Sequence, residues 1–140
     1  EPTPEVLASL KRADLVVICP SNPFVSIDPI LMLPGVREAV REKPAVAVSP
    51  ILGGDVVKGP AAKMCRELGV PVSAVSVARY YEAVLDGFVL DAVDRDLIPQ
   101  VEALGMAAQA MPTMMKSAET RVEVARGVLH FAVTRLVAPG

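Results

Sequence analysis

Four short apolar runs, each bounded by turn residues, constrain the fold of this 140-residue chain more than any other feature. Three of them, Leu15-Val16-Val17-Ile18-Cys19, Ala45-Val46-Ala47-Val48 and Phe88-Val89-Leu90, are continuous rather than alternating, the pattern of strands buried on both faces. The fourth, Met106 to Met111, is mostly Ala and Met and is a weaker strand pattern. Helical patterns separate the runs. Strand alternating with helix calls for parallel pairing, right-handed crossovers and a three-layer α/β/α sandwich. With 52% hydrophobic residues but only 4% aromatics, the core must be built from Val, Ala, Leu and Ile, and the length suits one domain.

The intervening segments carry their own punctuation. Val6, Leu7 and Leu10 suit a short helix ending near Arg12. Asp28 before Pro29 reads as a helix cap with Pro at the first helical position, and Val36, Ala39 and Val40 give one apolar face to a second short helix. Ala61, Met64, Cys65 and Leu68 fall at i, i+3, i+4 and i+7, with Gly69 as the stop. Ser73 caps a helix that turns Ala74, Val77, Ala78 and Tyr81 inward, while Asp96 is placed to cap one with Pro99 in its first turn. Ser117 opens the longest helix, whose inner stripe is expected to be Val122, Ala125, Leu129, Ala132 and Leu136. The whole is a Rossmann-like arrangement, in which ligands bind at the carboxyl ends of the strands.

One loop draws chemistry to that edge. Ser49-Pro50-Ile51-Leu52-Gly53-Gly54-Asp55-Val56-Val57-Lys58-Gly59-Pro60 joins the second apolar run to the helix starting at Ala61. A strand-loop-helix unit of this kind offers an anion the glycine N–H groups and a helix start, and Lys58 adds positive charge beside them. The loops after the other strands bring Ser21, Asn22 and Ser26, then Asp91 and Asp94, then Thr113 to the same edge. Hydroxyls, an amide, a lysine and two carboxylates suit a phosphorylated ligand and a divalent cation, with Asp91 and Asp94 placed for Mg²⁺. The set holds no nucleophile and base pair.

Other classes recede. A formal charge of −2 argues against a bulk attraction to nucleic acid or to an anionic membrane, and no apolar run approaches the roughly 18 to 20 residues of a membrane span. Cys19 and Cys65 read as reduced, buried thiols rather than a disulfide framework, so a cytoplasmic location is expected. His130, the single histidine, sits inside the last helix, away from every loop named above, which argues against His-based acid–base chemistry and His-ligated zinc. Arg79, Arg121 and Arg126 read as solvated helix residues, and Met114-Met115 as packing residues.

These strings resemble one family, the 2-phospho-L-lactate transferases of coenzyme F420 biosynthesis (CofD/FbiA). The resemblance rests on Ala13 to Pro23, Ser26-Ile27-Asp28-Pro29-Ile30-Leu31, Leu33-Pro34-Gly35-Val36-Arg37, Val48 to Gly54, Val57 to Met64, Val77-Ala78-Arg79-Tyr80-Tyr81 and Leu85 to Asp91, in that order across most of the chain. It implies a transfer reaction in which the hydroxyl of the deazaflavin Fo attacks the activated phosphate of a guanosine-diphospho-linked phospholactate or phosphoenolpyruvate donor and GMP leaves. Such chemistry needs positioning, charge neutralisation and usually Mg²⁺ more than a protein nucleophile. The sequence departs from the family pattern at Tyr80, where a His is usual, and at Pro112, where an Asp is usual. The family's glycine-rich first strand-loop-helix, with acidic metal-binding residues, is expected upstream of Glu1. The chain therefore reads as residues 1–140 of the carboxyl-terminal part of a single domain, one wall of a cleft, inactive alone. The competing reading is a nucleotide-sugar-binding regulatory protein of the YvcK type. Its usual Gly-Pro-Gly-Ser string is replaced here by Cys19-Pro20-Ser21-Asn22-Pro23, which favours the transferase. The apolar stripe of the last helix suits either the core or a homodimer interface.

Overall fold

The structure, a computed structural model, describes residues 1–56 and 59–137. Helix α1 (Pro4–Arg12) leads into strand β1 (Val16–Ile18), then a π-helical turn (Pro23–Ile27), α2 (Asp28–Leu31) and α3 (Val36–Arg41). Strand β2 (Ala45–Val48) is followed by a small hairpin, β3 (Ile51–Leu52) and β4 (Asp55–Val56), and by α4 (Ala61–Glu67) and α5 (Ala74–Tyr80). Strand β5 (Gly87–Asp91) runs into a 3₁₀ turn (Ala92–Leu97) and α6 (Ile98–Glu102), and β6 (Ala107–Met111) into the long α7 (Ala118–Arg135).

The main sheet has the order β1-β2-β5-β6 and is parallel throughout, with Val17 opposite Val46, Ala47 opposite Phe88 and Val89 opposite Gln109. Period-two alternation sends Ala45, Ala47, Phe88 and Leu90 to one face, where they pack with Val36 and Val40 of α3, Val77 and Ala78 of α5 and Val101 of α6. Val46, Val48 and Val89 face the other way, against Val124, Val128, Phe131 and Ala132 of α7. This is the expected α/β/α sandwich, with the layers unequal: several helices cover one face and α7 alone, among the described residues, packs on the other.

Local chemistry explains most boundaries. Ser73 Oγ accepts from Val75 N at 3.2 Å and caps α5 as expected, with Ala74, Val77, Ala78 and Tyr81 buried. The Tyr81 hydroxyl has no hydrogen-bond partner among the described residues, and burial pushes its pKa up, with Tyr80 and Asp28 adding to the shift. Ser117 and Thr120 form a capping box at α7: Thr120 N donates to Ser117 Oγ and Ser117 N to Thr120 Oγ1, at 3.2 and 2.9 Å. Asp86 Oδ2 accepts from Ala45 N at 2.9 Å and ties the starts of β2 and β5 together.

Several expectations fail, each for a tertiary reason. Cys65 is buried, but Cys19 is exposed, because β1 is the edge strand and α7 does not reach its outer side. Leu68 is exposed and Ala62 takes its place on the inner side of α4. Asp28 does not cap α2; it is the first helical residue, and its carboxylate lies 3.3 Å from Arg37 Nη2. Asp96 caps nothing; the 3₁₀ turn is capped instead by Asp91. Helix α7 turns Val124, Val128, Phe131 and Ala132 inward, leaving Val122 and Leu129 of the expected stripe half exposed. Two apolar stripes run along this helix, and the sheet takes the one carrying Phe131.

Candidate functional site

At the carboxyl edge of the sheet lies an open cavity of about 200 Å³. Pro20, Ser21 and Asn22 come to it from the end of β1, Ser49 and Pro50 from the end of β2, and Thr113, Met114 and Met115 from beyond β6. Leu52 and Val56 of the hairpin and Ala61 of α4 complete the wall. Four of the expected residues, Ser21, Asn22, Ser49 and Thr113, therefore share one cavity.

Their hydrogen bonds divide them into groups already committed and groups free to meet a ligand. Ser49 is almost fully buried; its Oγ donates to Ile51 O at 2.9 Å and accepts from Ile51 N at 3.1 Å, so the hydroxyl shapes the turn out of β2. Asn22 Oδ1 accepts from Phe24 N and Val25 N at 2.9 and 3.3 Å and caps the π-helical turn. Its amide nitrogen points at the thioether of Met64, 3.4 Å away. A thioether is a weak acceptor, so those N–H bonds redirect to an oxyanion at little cost. Ser21 makes no side-chain hydrogen bond to another described residue and is half-buried in the wall. Ser26 is exposed in the π-helical turn and does not line the cavity.

Asp91 positions the far wall. Its Oδ2 accepts from Thr113 N at 2.8 Å and Thr113 Oγ1 at 2.9 Å, and its Oδ1 from Val93 N at 3.0 Å. A carboxylate at the end of β5 thus fastens the chain leaving β6 and holds Met114 and Met115 at the cavity. Burial works to raise its pKa, but the three hydrogen bonds outweigh burial and hold the carboxyl below its ordinary range. Asp94 Oδ2 accepts from Gly53 N at 3.0 Å.

That last bond changes the reading of the glycine loop. Gly53 and Gly54 both have positive φ, 59° and 81°, and form the two-residue tip of the β3-β4 hairpin, as a type I′ turn requires. The tip is exposed, neither glycine lines the cavity, and the Gly53 N–H is already given to Asp94. The expected strand-loop-helix unit is a strand, a hairpin and a seven-residue helix, and the cavity meets the hairpin through its apolar side chains. Lys58, expected beside the anion, lies outside the described residues.

Both oxygens of Asp91 and Oδ2 of Asp94 accept from backbone and hydroxyl donors, and among the described residues no group of three or more His, Cys, Asp or Glu side chains converges. These residues do not by themselves fit a Mg²⁺ site. Tyr80 packs edge-on against Phe24, with ring centroids 5.1 Å apart, and does not line the cavity. His130 lies on α7, as its sequence position implied, and is exposed. Sequence reasoning missed the hairpin wall and the approach of Met114 and Met115. The signal that pointed to them was an acid at the end of one strand and a hydroxyl residue just past the next. No described helix is long and apolar enough to cross a membrane.

Comparison with known proteins agrees with the motifs. Residues 1–129 match the family model described as 2-phospho-L-lactate transferase CofD. The chain is 42% identical over 135 residues to a phosphoenolpyruvate transferase of Streptomyces griseus, covering 94% of this chain and 42% of that protein. It is 43% identical over 128 residues to a 2-phospho-L-lactate transferase of Methanosarcina mazei, with 91% and 42% covered, and 34% identical over 131 residues to one of Methanocaldococcus jannaschii, with 94% and 41% covered. It spans about two fifths of the length of these relatives. A family-model match over nearly the whole chain, with relatives at 34–43% identity, establishes that this chain belongs to the CofD family of 2-phospho-L-lactate transferases.

Proposed function

We propose that this chain forms one wall of the donor site of a transferase that moves a phospholactyl or phosphoenolpyruvyl group from a guanosine-diphospho-linked donor to the hydroxyl of Fo. In that reaction the acceptor oxygen bonds to the phosphorus carrying the three-carbon acid, its hydroxyl proton passes to solvent, the phosphoanhydride bond breaks, and GMP leaves with the bridging oxygen. The observation that carries the reading is the cavity of Ser21, Asn22, Ser49 and Thr113 at the carboxyl edge, in a chain of this family. Ser21 and Asn22 supply neutral donors to phosphate oxygens, while Ser49 and Asp91 keep the wall in shape. Lys58, outside the described residues, keeps its expected role of supplying positive charge to the phosphates, whereas Gly53 and Gly54 shape the hairpin tip. Nothing in the wall serves as a nucleophile, in keeping with a direct transfer driven by positioning.

Ser21→Ala, made in a polypeptide that catalyses the transfer, tests this. A hydrogen bond to a charged phosphate contributes about 1.5–3 kcal/mol, so donor affinity should fall roughly 10- to 100-fold, read as KM for the guanylated donor in a fluorescence assay of F420-0 formation. An unchanged KM and kcat would remove Ser21 from the site.

A further inference from the structure

The segment that brings Ser21 and Asn22 to the cavity continues as the π-helical turn, and that turn is fastened at both ends. Asn22 O accepts from Ser26 N and Ile27 N at 3.1 and 3.2 Å, and Asp28 N donates to Pro23 O. At the far end the Asp28 carboxylate meets Arg37 of α3. At the near end the fastening is aromatic. The Phe24 ring lies edge-on to Tyr80, the last residue of α5, with centroids 5.1 Å apart and ring planes at 73°. Tyr80 is in turn edge-on to the buried Tyr81, at 5.6 Å and 75°. Space remains beside the Phe24 ring, a cavity of about 40 Å³ bounded by Cys65, Val70, Ser76, Val77 and Tyr80. Tyr80 is 40% exposed, so removing its side chain opens that space to solvent and frees the Phe24 ring to turn into it.

The place of Phe24 matters because of what its N–H does. It donates to Asn22 Oδ1 at 2.9 Å, beside Val25 N at 3.3 Å, and these two bonds fix which way round the Asn22 amide sits. A primary amide accepts at one end and donates at the other, so holding Oδ1 on the turn sends Nδ2 away from it, toward Met64 Sδ at the cavity wall. A flipped amide would present Oδ1 to a phosphate and repel it. The thioether is too weak a partner to set the orientation from the Nδ2 side, so the Oδ1 side decides it.

We propose that Tyr80 is a positioning residue for donor binding: by holding Phe24 against α5 it keeps the Phe24 N–H on Asn22 Oδ1, and so keeps the Asn22 amide turned to donate to a phosphate oxygen. The inference rests on the donor-site reading above and adds to it a residue that does not line the cavity. An aromatic pair of this geometry biases an equilibrium roughly 2- to 10-fold, which bounds the effect.

The test is made in a polypeptide that catalyses the transfer. Tyr80→Ala should raise KM for the guanylated donor roughly 2- to 10-fold and leave KM for Fo unchanged, and Tyr80→Phe, which keeps the ring, should restore the parent value. Phe24→Leu, which removes the other ring of the pair, should match Tyr80→Ala. Asn22→Ala should raise donor KM roughly 10- to 100-fold, and Tyr80→Ala added to it should change that KM by less than about 1.5-fold, because its route to the ligand is gone. A residue that only supports the fold behaves differently: its loss lowers the folded fraction and with it kcat, and moves neither KM. In the 140-residue chain alone, Tyr80→Ala should speed amide exchange at Phe24 roughly 2- to 10-fold and leave exchange at Thr113 unchanged. Donor KM raised by Asn22→Ala but by neither Tyr80→Ala nor Phe24→Leu overturns the inference and leaves the donor-site reading standing. Additive effects in the double variant do the same. Donor KM unchanged by Asn22→Ala removes Asn22 from that reading and the inference with it.

Discussion

Asp91 is the side chain whose removal reports most directly on how the cavity is held. Its carboxylate joins the end of β5 to the chain beyond β6 through Thr113 and also caps the 3₁₀ turn through Val93. Replacing it by Ala strands three donors. Val93 is exposed, so its N–H finds water and the loss resembles that of a helix cap, about 1 kcal/mol. Thr113 is only 5% exposed, and leaving its N–H unpaired costs about 1–3 kcal/mol. Asp91→Ala should therefore destabilise by about 2–4 kcal/mol. Asp91→Asn keeps an oxygen toward Thr113 but turns an amide against the Val93 N–H, for about 1–2 kcal/mol. Urea denaturation followed by circular dichroism measures both, the chain having no tryptophan. The pH dependence gives a second check. Hydrogen bonding holds the folded carboxyl below its ordinary range, so on acidification the unfolded chain takes up the proton first. The contribution of Asp91 is complete above about pH 5, and it declines as pH falls through the ordinary value near 4 and below. The gap between the parent and Asp91→Asn should be constant from about pH 5 to 8 and close in acid. A gap absent at neutral pH, or one that widens on acidification, would refute the reasoning.

Two further outcomes follow from the same geometry. Gly53→Ala has space, its nearest neighbour being Val93 at 3.7 Å, but must hold φ near +59°; it should cost about 1–2 kcal/mol in the same denaturation assay, and no loss would contradict the type I′ turn. On α7, Phe131→Ala should cost about 3–5 kcal/mol, whereas Leu129→Ala in the isolated chain should change stability by less than about 1 kcal/mol; equal losses would place the wrong stripe against the sheet.

The strands and their layer order were readable because continuous runs such as Ala45 to Val48 have few other uses, and the caps Ser73 and Ser117 act over three residues of sequence. The hairpin was harder. Gly53-Gly54 permits positive φ equally in a phosphate loop and in a type I′ turn, and only the bond from Gly53 N to Asp94, 41 positions away, distinguishes them. The candidate site was legible as a set of loop residues at one edge. Which side chains remain available was not, because Ser49 and Asn22 bond backbone groups only two residues on, a turn geometry that Ser and Asn permit but do not require.

The sequence by itself determined a parallel α/β sandwich, the edge at which its polar loops gather, and the family, since periodicity, turn chemistry and shared strings are all written in local order. The tertiary structure decided the rest: that Cys19 lies on an open edge, that α7 turns Phe131 rather than Leu129 inward, and that Asp91 reaches across to Thr113 instead of standing free. Each depends on what lies opposite a residue, and that is set by the packing of segments distant in the chain.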